Sequence, residues 1–152
     1  MKLYLVQHGE ATSEKLDPAR PLTQKGRSEV SKIAKFLKET GIEVDVIWHS
    51  TKTRAMQTAQ ILAEAVSPKE CTVERQGLAP NDSVDELQKE LASRELDLMI
   101  VGHLPFLQKL ASTLLLGSEF YDLVGFRQGG AVCLQREEGA WRLIWAIIPE
   151  LI

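Results

Sequence analysis

Short, unbroken apolar runs alternate along this chain with longer stretches of helical period, and that alternation limits it to an α/β layer architecture. Leu3 to Val6 is a run of strand length, closed by His8-Gly9. From Gln24 to Thr40 the period changes, and Val30, Ile33, Ala34 and Leu37 fall on one helical face. Thr23 is placed to cap the start of that helix, and Gly41 sits where a left-handed residue ends one. Val44 to Trp48 predicts a second strand. A helix from about Lys52 then turns Ala55, Ala59, Leu62 and Val66 inward and stops before Pro68. Thr72 to Arg75 predicts a short edge strand. Ser83-Val84-Asp85-Glu86 has capping-box spacing and predicts a helix with Val84, Leu87 and Leu91 on its inner face. Leu98 to Val101 reads as a buried strand ended by Gly102-His103-Leu104-Pro105. Pro105 opens a helix carrying Phe106, Leu110, Ala111 and Leu114. Ala131 to Gln135 and Trp141 to Ile147, parted by Glu137-Glu138-Gly139, predict an antiparallel hairpin. The economical arrangement is one domain over residues 1–152. It is a three-layer α/β/α sandwich with a mostly parallel central sheet and an antiparallel C-terminal hairpin.

Composition narrows the function classes. The 152 residues are enough to bury a core without staples, and 44% hydrophobic with 26% charged residues excludes disorder and coiled coil. Eighteen Lys and Arg against twenty-one Asp and Glu give a formal charge of −3. No basic field exists to draw in nucleic acid or an anionic membrane, so an anionic ligand must be met by local positive charge. Cys71 and Cys133 have neither CxxC spacing nor a framework count and read as reduced thiols. The apolar start, Met1 to Val6, is too short for a signal-peptide core or a membrane span. The expectation is a soluble, cytoplasmic protein.

Ligands of open α/β sheets bind beyond the carboxyl ends of the strands. Two of the three histidines stand there, in Val6-Gln7-His8-Gly9 and Val101-Gly102-His103-Leu104, each beside a glycine. Either alone is an ordinary turn histidine; their matched placement points to one shared site. Arg54, in the first turn of its predicted helix, is unfavourable beside the positive helix end unless an anion is held there. Helix amides, the Ser50 or Thr53 hydroxyl and the guanidinium can then all donate to that anion. Arg20 lies in a pre-proline loop before the first helix. Two imidazoles and two guanidiniums without an acidic cluster describe an oxyanion site. Neither HxxxH nor CxxC spacing joins His8 or His103, His49 ends a strand of its own, and no metal is expected. P-loop, GxGxxG, GxSxG and CxxxxxR motifs are missing.

The N-terminal His8-Gly9-Glu10-Ala11, the Arg20-Pro21-Leu22-Thr23 and Gly26 segment, Ser50 followed by Arg54-Ala55-x-Gln57-Thr58, and Val101-Gly102-His103-Leu104-Pro105 occur in that order. Together they resemble the histidine phosphatase superfamily of phosphoglycerate-mutase-like fold, and more closely its short SixA-type phosphohistidine phosphatases. The resemblance implies metal-independent phosphoryl transfer without a cofactor. His8 would be the nucleophile and carry a phosphohistidine intermediate, with Arg20, Arg54 and His103 neutralising the phosphoryl oxygens. His103 next to the phosphate could be protonated, Gln7 and Ser50 would complete the phosphate site, and inorganic phosphate or sulfate would fit it. The implied substrate is phosphohistidine on a protein such as a His-containing phosphotransfer domain, in phosphotransfer signalling. The alternatives are a small phosphate ester, or a weakened member that binds phosphorylated partners.

The departure is Gln7, where the family motif has arginine. Loss of one charge-assisted contact costs roughly 1.5–3 kcal/mol, about one to two decades in rate if fully expressed in the transition state. Lys52 is a nearby source of charge. Asp82, in Leu78-Ala79-Pro80-Asn81-Asp82, is the candidate general acid by position, although it equally suits a turn.

Overall fold

The computed structural model, which describes residues 1–152, builds the chain around one mixed sheet. Strands β1 (Lys2–Gln7), β2 (Val46–His49), β3 (Cys71–Glu74) and β4 (Leu98–Gly102) are parallel, and β5 (Ala131–Glu137) and β6 (Ala140–Ile147) form an antiparallel hairpin. Their order is β3-β2-β4-β1-β5-β6. Between them run α1 (Gln24–Glu39), α2 (Thr53–Val66), α3 (Asp85–Ala92) and α4 (Phe106–Leu116), and a 3-10 turn at Pro149–Leu151 ends the chain. This is the expected three-layer sandwich.

Side chains of successive strand residues point to opposite faces, so the central strands supply two cores at once. Tyr4, Val6, Met99 and Val101 meet Val30 and Ile33 of α1 and Ala59 and Leu62 of α2. Leu3, Leu5, Leu98 and Ile100 meet Leu87 and Leu91 of α3 and Phe106 and Leu110 of α4. Burial on both faces explains why these strands are continuously apolar rather than alternating.

Helix α1 begins and ends as its sequence dictates. The Thr23 hydroxyl oxygen accepts the Gly26 N–H, and Gly41 at φ +71° lets Ile42 N–H return to the Leu37 carbonyl. Helix α3 corrects the capping-box expectation. Val84 already has helical φ/ψ and occupies the cap; Ser83 Oγ reaches only the Asp85 N–H at 3.2 Å, and Glu86 returns no bond. Strand β2 starts at Val46 rather than Val44, because the Val44 carbonyl turns to accept Lys69 N–H and Asp45 caps Asp97 N–H at 2.7 Å. The thiols are free, Cys71 exposed on β3 and Cys133 buried in β5, with three strands between them. No helix is long and apolar enough to cross a membrane.

Topology makes the site. Strand β4 lies between β1 and β2, in register Gln7 with Gly102 and Val101 with His49. The residues that follow these three strands, His8, His103 and Ser50, therefore emerge side by side at one end of the sheet.

Candidate functional site

The two histidines converge. Their ring centroids are 5.0 Å apart at an interplanar angle of 53°, and both rings are buried. The first turn after β1 is pinned on both sides: His8 N–H donates to the Gly102 carbonyl, and Gly129 N–H to the carbonyls of Gln7 and His8. Gly9 N–H donates to Thr58 Oγ1 on α2, whose hydroxyl in turn donates to the Arg54 carbonyl. A Cβ at Gly9 would stand 2.8 Å from Val30 Cγ2, so only glycine lets β1 turn this close to α1.

His8 is oriented by its own neighbour. Nδ1 lies 2.7 Å from the Gly9 carbonyl oxygen, which can only accept. The proton is therefore on Nδ1, and Nε2 keeps its lone pair. Burial, assisted by the charges of Arg54 and Arg20, pushes the His8 pKa down to about 4. The neutral ring demanded of a nucleophile is thus the resting state at neutral pH.

His103 is held by the other nitrogen, with Nε2 2.6 Å from Ser50 Oγ and Nδ1 buried without a partner. Burial, then the neighbouring His8, Arg54, Lys52 and Arg20, push its pKa down to about 3. Without an anion beside it, the His103 ring is therefore neutral, chiefly because it is buried and then because of the positive charges around it. The Ser50 hydroxyl serves His103 and also accepts Lys52 N–H at 3.3 Å.

Arg54 occupies the first turn of α2, where burial and Arg20 lower its pKa and its Nε has no partner. Arg20 has φ +49°, a strained conformation for a non-glycine residue, and donates from Nε to the Thr12 carbonyl at 3.2 Å. Thr12 N–H to the Pro21 carbonyl and an Ala11–Leu22 bridge tie the two ends of this loop together. Arg20, Lys52, Arg54 and Glu14 line a polar cleft of about 400 Å³. A larger cavity of about 620 Å³, against Arg136 and Trp141, lies at the opposite end of the sheet; neither cavity is lined by a histidine, but the 400 Å³ cleft is lined by the two arginines whose charges act on His8 and His103. Gln7 Oε1 is buried without a partner.

The candidate general acid does not join the group. The Asp82 carboxylate accepts Ala79 N–H at 2.9 Å, closing the turn, and lines a different cavity with Arg75 and Glu90. His49 is buried and donates from Nδ1 to the Ser50 carbonyl. No three His, Cys, Asp or Glu side chains are grouped as metal ligands.

The family model of the histidine phosphatase superfamily, branch 1, matches residues 3–78, half of the chain. The chain belongs to the histidine phosphatase superfamily. A protein of Picosynechococcus sp. (strain ATCC 27264 / PCC 7002 / PR-6), itself described as uncharacterized, is 34% identical over 146 positions, covering 86% of this chain and 87% of the relative. Among solved structures, the protein histidine phosphatase SixA complexed with tungstate superimposes with a TM-score of 0.87 at 23% identity, over 99% of both chains. Phosphoserine phosphatase from Entamoeba histolytica, complexed with 3-phosphoglyceric acid, gives 0.70 at 18% identity over 95% of both chains. These likenesses bear out the phosphoglycerate-mutase-like, SixA-type fold. The family match contains His8, Arg20, Ser50 and Arg54 but ends before His103, whose place beside His8 comes from the structure.

Gln57 and Thr58 belong to the motif that carries Arg54 in this superfamily member, and the sequence assigns them no role. Gln57 Oε1 accepts Leu22 N–H at 2.8 Å, and Thr58 holds Gly9, so both fasten α2 to the turn that carries His8 and the loop that carries Arg20. Glu10 was missed. Its carboxylate accepts the Thr23 hydroxyl at 2.6 Å and its carbonyl the Thr23 N–H. A Cβ on Gly26 would come within 2.2 Å of that carbonyl oxygen, which explains a glycine inside α1.

Proposed function

We propose that this superfamily member is a metal-independent phosphatase that removes the phosphoryl group from phosphohistidine on a protein. The observation that carries the reading is the pairing of two buried, neutral imidazoles 5.0 Å apart beside Arg54 and Arg20. In the proposed reaction, His8 Nε2 attacks phosphorus in line. A Nε2–P bond forms, the P–N bond of the substrate breaks, and its electron pair stays on the departing imidazole, already protonated on its other nitrogen. The phosphorylated His8 ring is then cationic, and the Gly9 carbonyl on Nδ1–H stabilises that charge. Water next attacks phosphorus, the Nε2–P electron pair returns to the ring, which keeps its Nδ1 proton, and both water protons leave on the released dihydrogen phosphate. Little besides positioning and charge neutralisation is required, which Arg54, Arg20 and the His103 ring supply.

A polar cleft between the Glu14–Arg20 loop and the start of α2, lined by both arginines, suits a phosphoryl group presented by a protein surface. The small-ester reading is favoured by the fold shared with the phosphoserine phosphatase. The weakened, binding-only reading is favoured by the uncharged Gln7. Three substrates separate them: a phosphorylated His-containing phosphotransfer domain, p-nitrophenyl phosphate and sugar phosphates. Release of phosphate from the domain but not from sugar phosphates, lost in His8→Ala, is the expected result. Hydrolysis of sugar phosphates alone would establish the small-ester enzyme, and binding without release the weakened member.

A further inference from the structure

The two nitrogens of His103 have different fates. Nε2 lies 2.6 Å from Ser50 Oγ, while Nδ1 is buried with no hydrogen-bond partner. A neutral imidazole carries one ring proton, so the contact to Ser50 decides which nitrogen is left with it. Ser50 is itself 1% exposed, and its oxygen has two partners, the Lys52 backbone N–H and His103 Nε2. The amide only donates. The hydroxyl proton of Ser50 therefore has one acceptor within reach, the Nε2 lone pair, and a buried hydroxyl left without an acceptor is disfavoured. With Nε2 accepting, the ring proton belongs on Nδ1.

We propose that Ser50 is a positioning residue that locks His103 in its Nδ1–H tautomer, leaving a buried, oriented N–H for an oxygen of the phosphoryl group held beside His8. This deepens, and rests on, the phosphatase reading of the same site. The opposite tautomer would set the Nδ1 lone pair against a phosphoryl oxygen, acceptor against acceptor, and make Nε2–H and the Ser50 hydroxyl compete as donors. In the ligand-free protein burial, then the surrounding positive charges, lower the His103 pKa to about 3, so the ring that awaits the phosphoryl group is neutral and its tautomer decides which nitrogen can donate. The role differs from the direct phosphate contact expected of Ser50 from the sequence, since its hydroxyl is already committed to the ring.

Nitrogen-15 spectra of the labelled protein at neutral pH read the tautomer without any substrate. Wild type is expected to show a protonated Nδ1 and a lone-pair Nε2 at His103. Ser50→Ala is expected to lose that preference, to bind tungstate more weakly, and to lower kcat/KM by roughly 10- to 100-fold, chiefly through kcat. Ser50→Thr keeps the hydroxyl and is expected to restore all three. The His8 tautomer, set by the Gly9 carbonyl, stays unchanged throughout and reports that the turn is intact. A wild-type His103 protonated on Nε2 overturns the proposal with no variant needed, as does a Ser50→Ala protein with unchanged tautomer or unchanged tungstate affinity. A chain that hydrolyses no phosphate compound but shows the Nδ1–H tautomer, and loses tungstate affinity on Ser50→Ala, supports the positioning role and overturns only the hydrolytic reading.

Discussion

His8 and His103 follow neighbouring parallel strands, carry the same ring and are both held neutral, yet the protein grips them by opposite nitrogens. A backbone carbonyl takes Nδ1 of His8 and leaves Nε2 free; a serine hydroxyl takes Nε2 of His103 and leaves Nδ1 free. One grip presents a lone pair, the other a donor. Two copies of one side chain can therefore serve as nucleophile and stabiliser without differing in charge, because second partners rather than protonation states divide the labour.

The largest effect on this division is expected from His8→Ala. Removing the attacking nitrogen should lower kcat/KM by roughly 10³-fold or more, measured on the phosphorylated domain. His103→Ala should cost less, since it removes a stabiliser and leaves the nucleophile; equal losses would mean that the rings act as one unit. Arg54→Gln comes next, at about 10²-fold for a charge-assisted contact. Because the Arg54 charge is among the causes that depress both imidazoles, both should titrate higher in this variant, as followed by NMR. Gln7→Arg should raise kcat/KM by about tenfold if a missing charge limits the rate. An unchanged value would show that Lys52 or another group already supplies it.

The smallest effect is on stability. Both rings stay neutral in the fold, whereas the unfolded chain protonates them near pH 6.5, so between those values the unfolded state binds more protons. Their contribution is complete above about pH 6.5 and is lost as pH falls toward about 4 for His8 and about 3 for His103. His103→Asn should therefore flatten the acid limb of Tm against pH. A Tm profile as steep as that of wild type would place the acid sensitivity elsewhere.

The sandwich was legible because periodicity reports burial directly: β1 and β4 are buried on both faces and read as unbroken apolar runs, and α1 showed its stripe and both ends. The start of β2 was not, since Val44-Asp45 continues the apolar pattern although its backbone turns to Lys69. The Ser83–Glu86 spacing misled because the conformation of Val84, not the side chains, sets where α3 begins. In the site, strand-end placement singled out His8 and His103, the start of a helix singled out Arg54, and Arg20 stood out only through its pre-proline loop and the family resemblance. What Thr58, Gln57 and Ser50 do was not readable, because each acts through a bond to a residue remote in sequence or through the orientation of a ring.

The account stands most directly on His8 Nε2 as the atom that takes the phosphoryl group. Rapid quenching of a turnover with ³²P-labelled phosphorylated domain into alkaline denaturant, which preserves phosphorus–nitrogen bonds, followed by peptide mapping, locates the label. Label on the peptide containing His8, and none in His8→Ala, is the predicted result. Label on any other side chain, Ser50 included, or turnover that survives in His8→Ala, would contradict it.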